Sequence, residues 1–140
     1  MKLWNKEDNL NLKIEKFTVG KDRFYDLFIA KYDIKATIAH AKMLHSIEVL
    51  THSELDKIIS ELNLINNDIK IRKFIIEDNY EDVHSKIESI LVKKLGIIGK
   101  KIHTGRSRND QVLVATQLYL KNEIHQIKIL TISLFNTLID

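Results

Sequence analysis

The sequence predicts an all-α fold of long antiparallel helices. Apolar residues recur every three or four positions along most of the 140-residue chain, and this spacing places them on one face of a helix. The chain has no proline and four glycines, so few residues would interrupt a helix. Thr51 and Glu54 form a capping-box pattern, which marks a helix start inside the repeating apolar pattern.

The first two helices are predicted on either side of that capping box. Between residues 24 and 50, the apolar positions at helical spacing are Leu27, Ala30, Ile34, Ile38, Ala41 and Leu44. After the capping box, they are Leu55, Ile58, Ile59, Leu62, Ile65 and Ile69. Because only a short turn separates the two stripes, we expect two antiparallel helices that pack against each other.

A third helix is predicted after a break in this pattern. Phe74, Ile75 and Ile76 indicate either a short extended segment or a buried turn. Asp82 is placed to cap the helix, and Gly96 follows its last apolar residue, as glycine often does just past a helix C-terminus. The apolar stripe of this helix is Val83, Ile87, Ile90 or Leu91, and Leu95.

A fourth helix is predicted to start near Asn109 or Asp110, with one of these residues as its N-cap. Its apolar stripe is Leu113, Leu120, Ile124, Ile127, Leu130, Leu134 and Leu138. At about 30 residues, such a helix would extend about 45 Å and usually belongs to a large bundle. Since apolar residues crowd its end and no stop signal follows, we expect the chain to be the front part of a longer protein.

The composition indicates a globular protein without strong attraction to polyanions. Hydrophobic residues make up 44% and charged residues 29%, as in ordinary folded domains, and a net charge of +3 is too small to predict nucleic-acid binding. The lack of cysteine excludes disulfides and thiolate metal sites, and no H-x-x-x-H pair indicates zinc. With no signal peptide and no apolar run of bilayer length, we expect a cytoplasmic protein without a membrane partner.

Residues 96–111, GIIGKKIHTGRSRNDQ, form the most polar loop of the chain, and several functions fit it. Arg106 and Arg108 present planar forks for a carboxylate, while Thr104, Ser107 and Asn109 add neutral donors at a helix N-terminus. The alternative is an N-capped helix with solvated arginines. The glycine spacing excludes a Walker A phosphate loop. Binding of RNA through a G-x-x-G pair is a remote alternative.

A second polar cluster precedes the third helix. Asp82 and His84 are close enough in sequence to orient one another, and histidine titrates near neutral pH. The alternative is an acid-rich helix start with one surface histidine.

Two stretches carry a resemblance to a known family. EDVHSKIE, residues 81–88, and GKKIHTGRSRNDQV, residues 99–112, resemble the argininosuccinate lyases of the fumarase/aspartase superfamily. The opening MKLW and residues 32–55 are similar to further segments of that family, in the same order.

The resemblance implies reversible cleavage of argininosuccinate to arginine and fumarate, without a cofactor, in a homotetramer built around a bundle of long helices. Residues 1–108 would form the N-terminal helical domain and 109–140 the start of the bundle, with the signature loop at residues 99–111. The substrate-binding residues carried over by position are Arg108, Asn109, Ser107, Thr104, His103, His84 and Asp82.

The resemblance also implies what the chain lacks. The family's catalytic histidine and serine regions lie beyond Asp140, so no residue present is assigned as the acid or base, and His103 is not that histidine. Gly20 replaces a serine of the family's substrate segment. We therefore expect the isolated chain to be inactive. The alternatives are half of a split lyase, docking with a separate C-terminal fragment, or a non-catalytic interaction module.

Overall fold

The computed structural model describes residues 17–139, and no strand occurs among them. The all-α prediction is therefore confirmed, whereas the opening MKLW lies outside the described residues. The helices, numbered here in chain order, are α1 Asp22–Ser46, α2 His52–Lys70, α3 Val83–Leu95, α4 Ile97–Lys101 and α5 Arg108–Ile139.

The core lies where α1, α2 and α3 meet. The helices α1 and α2 run antiparallel, as predicted, because five residues join them and they pack against each other. Most of the predicted stripe positions are buried, although Leu27 is 38% exposed and Ile38, Ile59 and Ile69 lie at the edge of the core. Each fully buried aliphatic side chain stabilises the fold by about 1.5–3 kcal/mol. The central buried residues are Ala30, Ile34, Ala41, Leu44, Leu50, Leu55, Ile58, Leu62, Ile65, Val83, Ile87, Leu91 and Ile102.

The capping box at the start of α2 is confirmed, and it also fixes the end of α4. The Thr51 N–H donates to Glu54 Oε2 at 2.9 Å, and Thr51 Oγ1 accepts from the Glu54 N–H at 3.3 Å. Lys101 Nζ donates to Glu54 Oε1 at 2.6 Å and to the Val49 carbonyl at 3.3 Å. The Lys101 ammonium and the Thr51 donors together lower the pKa of Glu54 to about 2.

The segment between α2 and α3 is irregular, and Asp82 then caps α3. Residues 73–77 belong to no helix, strand or turn, and of the three apolar residues there Phe74 is buried and Ile75 is exposed. Asp82 Oδ1 accepts from the Ser85 N–H at 2.7 Å, as the sequence predicts. Gly96 ends α3 with φ of +62°, a left-handed conformation that glycine adopts without strain.

The short helix α4 was not predicted, and it changes the role assigned to Gly99. A Cβ on Gly99 would lie 2.5 Å from the carbonyl carbon and oxygen of Leu91, so this glycine lets the backbone of α4 lie against α3. The G-x-x-G pair is part of a helix junction and does not form a nucleic-acid clamp.

The start of α5 differs from prediction by one or two residues, and its cap is a different residue. Ser107 Oγ accepts from the Asp110 N–H at 3.3 Å, and Asp110 Oδ2 accepts from the Ser107 N–H at 2.8 Å. These reciprocal bonds form a capping box. Ser107 is therefore the N-cap, and the prediction that Asn109 or Asp110 caps the helix is wrong.

The first half of α5 packs against α1, and the predicted apolar stripe of α5 is exposed in this chain. Tyr119 stacks edge-on against Tyr32, with ring centroids 5.9 Å apart, and Ala115 is buried. The exposed fraction of the stripe is already 50% at Leu120 and reaches 76% at Leu138. An apolar helix face of this length is typical of a surface that another helix covers.

We predict that Glu54→Gln weakens the fold at neutral pH and that this difference disappears in acid. Glutamine keeps the side-chain acceptor of the capping box but loses the ion pair with Lys101. Because the folded state lowers the pKa of Glu54 from 4.5 to about 2, its ionised form stabilises the fold above pH 4.5. That stabilisation is lost as pH falls from 4.5 towards 2. Urea unfolding followed by circular dichroism across this range measures the difference.

The matched control for this experiment is Glu61→Gln. Glu61 lies on the same helix and forms no ion pair within residues 17–139. The same acid-dependent loss of stability in the wild type and in Glu54→Gln would contradict the role given to Glu54.

Candidate functional site

The candidate site is built around the signature loop, residues 99–111, and one polar face of α1 contacts this loop. Asp26, Asp33, Thr37 and His40 follow each other at steps of seven, four and three residues, so they share one face of the helix. Each of the four contacts the signature loop or the first turn of α3. The α1 helix therefore sets the position of both segments.

The most buried of these contacts joins Asp33 to His84. Both side chains are 1% exposed, and His84 Nδ1 lies 2.9 Å from Asp33 Oδ1. The two groups are in close contact, but the angles are not those of an aligned hydrogen bond. The predictions that Asp82 orients His84, or that His84 is a surface residue, are therefore wrong. Asp82 instead caps α3, one residue before the helix starts.

Asp26 holds the same helix start through the backbone. Its Oδ2 accepts from the Val83 N–H at 2.9 Å, which is one of the N–H groups that a helix start leaves unpaired. Burial raises the pKa of Asp26, while the Val83 N–H opposes that rise. Two carboxylates of α1 thus contact consecutive residues of α3, Val83 and His84.

Arg106 points inwards towards α1. Its Nη1 donates to Thr37 Oγ1 at 3.2 Å, and its Nε is buried without a partner in the described part of the chain. Burial lowers the pKa of the Arg106 guanidinium, and the negative charge of Asp33 is the strongest effect opposing that shift. The alternative of a solvated Arg106 is therefore wrong.

Arg108 points the other way, towards the first turn of α3. Its Nη2 donates to Ser85 Oγ at 3.2 Å, and its Nη1 lies 3.5 Å from Asp82 Oδ1. The Arg108 side chain is 23% exposed, while its Nη1 is buried and makes no hydrogen bond within the described residues. Of the predicted site residues, the structure brings Arg108 and Asp82 together directly.

The remaining predicted site residues line the exposed rim of the loop. Ser107, Asn109 and Thr104 are exposed, and the ring of His103 lies 3.9 Å from Glu88 Oε2. His40 Nε2 donates to the Thr104 carbonyl at 3.0 Å. Burial lowers the pKa of His40, and the nearby charge of Arg106 acts in the same direction.

A hollow of about 350 Å³ opens between α1 and the start of α5. Arg106, Gln111 and His40 line it, and the Oε1 atom of Gln111 is buried without a partner in the described residues. Asp110, which also borders the hollow, has its pKa lowered, chiefly by the backbone N–H of Ser107. Free polar atoms beside a hollow are typical of a binding site.

Sequence analysis missed Asp33, Thr37 and Ser85, which hold the predicted residues in place. A signal for Thr37 existed, because it falls in register between Ile34 and Ala41 on the buried stripe. A polar residue at a stripe position must find a buried partner.

Within residues 17–139, no group of three or more histidine or acidic residues is arranged to hold a metal. Among the helices of the same range, none has the length and apolar character of a membrane span.

The family of the chain follows from its sequence as a whole. A profile of the family described as "Lyase" matches residues 13–140, which is most of the chain. The chain therefore belongs to this lyase family, whose fold is the all-helical fumarase/aspartase type.

Within that family, the chain is similar to argininosuccinate lyases. It is 47% identical to that of Bacteroides thetaiotaomicron over 138 residues and 50% identical to that of Thermotoga neapolitana over 137 residues. It is 40% identical to that of Xanthomonas oryzae pv. oryzae over 139 residues. The matches cover 98–99% of this chain but 31–34% of the relatives. The chain thus spans about a third of their length, and the resemblance seen in its two motifs is confirmed.

We predict that Thr37→Val destabilises the fold by about 1–3 kcal/mol, because valine leaves a guanidinium N–H of Arg106 buried without an acceptor. Valine has nearly the same shape as threonine, so lost packing contributes little. Thr131→Val is the control, since Thr131 is exposed on α5 and its replacement should change stability by less than about 0.5 kcal/mol. Urea denaturation measures both, and equal midpoints for Thr37→Val and the wild type would refute the contact.

Proposed function

We propose that the chain supplies part of the substrate-binding wall of an argininosuccinate lyase. The observation that carries this proposal is the orientation of Arg108. Ser85 and Asp82 hold its guanidinium at the start of α3, and it lies at the start of α5. A fixed, partly exposed guanidinium at a helix N-terminus is suited to bind a carboxylate. The similarity to argininosuccinate lyases supports the choice of substrate, which carries carboxylates.

In this proposal, the loop binds substrate and stabilises charge. Cleavage of argininosuccinate to arginine and fumarate removes a proton next to a carboxylate and builds negative charge on that group. Donors fixed before the reaction stabilise such charge without having to reorganise. Arg108 would donate to the carboxylate, while Asn109 would add a neutral donor from the exposed rim. Ser107, whose hydroxyl donates to Asp110 Oδ2 at 2.8 Å, would hold the loop beside the substrate. His103 and Thr104 would shape that rim.

The groups that move protons are proposed to lie outside this chain. His84 is enclosed against Asp33 and is 1% exposed, so it is poorly placed to exchange a proton with a substrate on the rim. We therefore propose that residues 1–140 alone do not cleave argininosuccinate. No metal or other cofactor is required for the proposed reaction.

The exposed apolar face of α5 supports a homo-oligomeric assembly, and a homotetramer is the form proposed. Its apolar side chains continue from Leu113 to Ile139, and a face of this length gains stability when partner helices cover it.

We also propose a cytoplasmic location for the protein, which is consistent with the absence of cysteine. The second candidate function, a non-catalytic interaction module, depends on the same face of α5 and requires no turnover.

We predict that turnover appears when this chain is co-expressed with the part of the Thermotoga neapolitana lyase that the match does not cover. Arg108→Lys should lower kcat/KM of that assembly by about 10–100-fold, because an ammonium cannot make the two parallel hydrogen bonds of a guanidinium to a carboxylate. Fumarate release, followed by its ultraviolet absorbance, measures both effects.

The matched control is Arg72→Lys, an exposed arginine in the connection between α2 and α3, which should leave kcat/KM unchanged. Stable co-purification of the two parts without turnover would favour the interaction module. Equal kcat/KM for Arg108→Lys and the wild type would refute the role of Arg108.

A further inference from the structure

Asp33 is a buried carboxylate to which the proposed reaction gives no task. It lies in the middle of α1 and is 1% exposed, directly before the core residue Ile34 in the sequence. Removing a carboxylate from water costs several kcal/mol unless cationic or hydrogen-bonding groups compensate. A carboxylate buried at this position therefore indicates that its contacts serve a purpose.

The α1 residues Asp33 and Thr37 contact two separate segments of the site. Asp33 Oδ1 lies 2.9 Å from His84 Nδ1, and His84 directly precedes Ser85, which accepts from Arg108. Thr37 Oγ1 accepts from Nη1 of the half-buried Arg106 guanidinium at 3.2 Å. Thr37 follows Asp33 by four residues, one helical turn along α1.

Arg106 and Arg108 flank Ser107, the N-cap of α5, and they point in opposite directions. Arg106 is held against α1, while Arg108 is held against the first turn of α3. The direction of Arg108 therefore depends on where the loop backbone lies on α1. It also depends on where the start of α3 lies on α1. Asp33 contacts the first turn of α3 at His84, and its negative charge opposes the lowering of the Arg106 pKa in the loop.

We propose that Asp33 is a positioning residue, whose buried carboxylate fixes the first turn of α3 on α1, beside the loop that Thr37 holds, and so sets the direction of Arg108. It does not touch substrate. It acts through His84, the neighbour of Ser85 in α3. Its consequence for catalysis rests on the function proposed above, whereas its effect on the start of α3 does not.

Hydrogen–deuterium exchange on the chain itself tests the effect on the start of α3. In Asp33→Asn, which keeps the size of the side chain, the amides of residues 83–85 and 102–107 should exchange about tenfold faster than in the wild type. The core amides of α2 should keep their protection. Asp68→Asn, an exposed carboxylate at the end of α2, is the control and should change neither set. Unchanged protection of residues 83–85, or an equal loss in all helices, would overturn the proposal.

A double-mutant cycle covers the case in which Asp33→Asn does not fold. Combining Asp33→Asn with His84→Gln removes both members of the buried pair, so neither charged partner is left uncompensated. The double variant should be more stable than the sum of the two single changes predicts. Additive losses, or a double variant that also fails to fold, would overturn the proposed pairing.

The co-expressed lyase assembly tests the functional consequence. At a temperature well below unfolding, Asp33→Asn should raise KM by about tenfold with a smaller change in kcat, because the carboxylate-binding group is misdirected before the chemical step. An unchanged KM in a folded assembly would overturn the consequence for binding. If the wild-type assembly has no turnover, the proposed function fails, and the exchange experiment still decides the role of Asp33.

Discussion

The polar face of α1 is the constraint on which the rest of the site depends. Buried polar groups must find partners inside the protein, and the four polar residues of this face find theirs on two other segments. Asp26 and Asp33 contact the first turn of α3, while Thr37 and His40 contact the loop before α5. These contacts hold the loop and the α3 start on α1.

The backbone contacts at both ends of the loop complete this arrangement. At the entrance, Gly99 allows α4 to lie directly on α3, and Lys101 joins the end of α4 to the capping box of α2. At the exit, the capping box of Ser107 and Asp110 fixes the first turn of α5. With both ends held, the arginines on either side of Ser107 project in opposite directions, one into the protein and one to the rim.

The helices α1, α2, α3 and α5 and the caps of α2 and α3 were predictable from the sequence because they depend on local spacing. The capping box of α2, the Asp82 cap and the glycine at the end of α3 all follow from residues within one turn. The contact between Asp33 and His84 was not predictable in this way, because the two residues are far apart in the sequence and meet only through packing of α1 on α3. For the same reason Asp82, the nearer acid, was assigned to His84 wrongly.

The central claim is that Arg108, directed by α1 and α3, binds a carboxylate of the substrate. A crystal structure of the co-expressed lyase assembly with fumarate bound tests it most directly. We expect Arg108 to donate two hydrogen bonds to a fumarate carboxylate, while His84 stays against Asp33 and Arg106 against Thr37. Fumarate bound without any hydrogen bond from Arg108 would contradict the proposed role of Arg108.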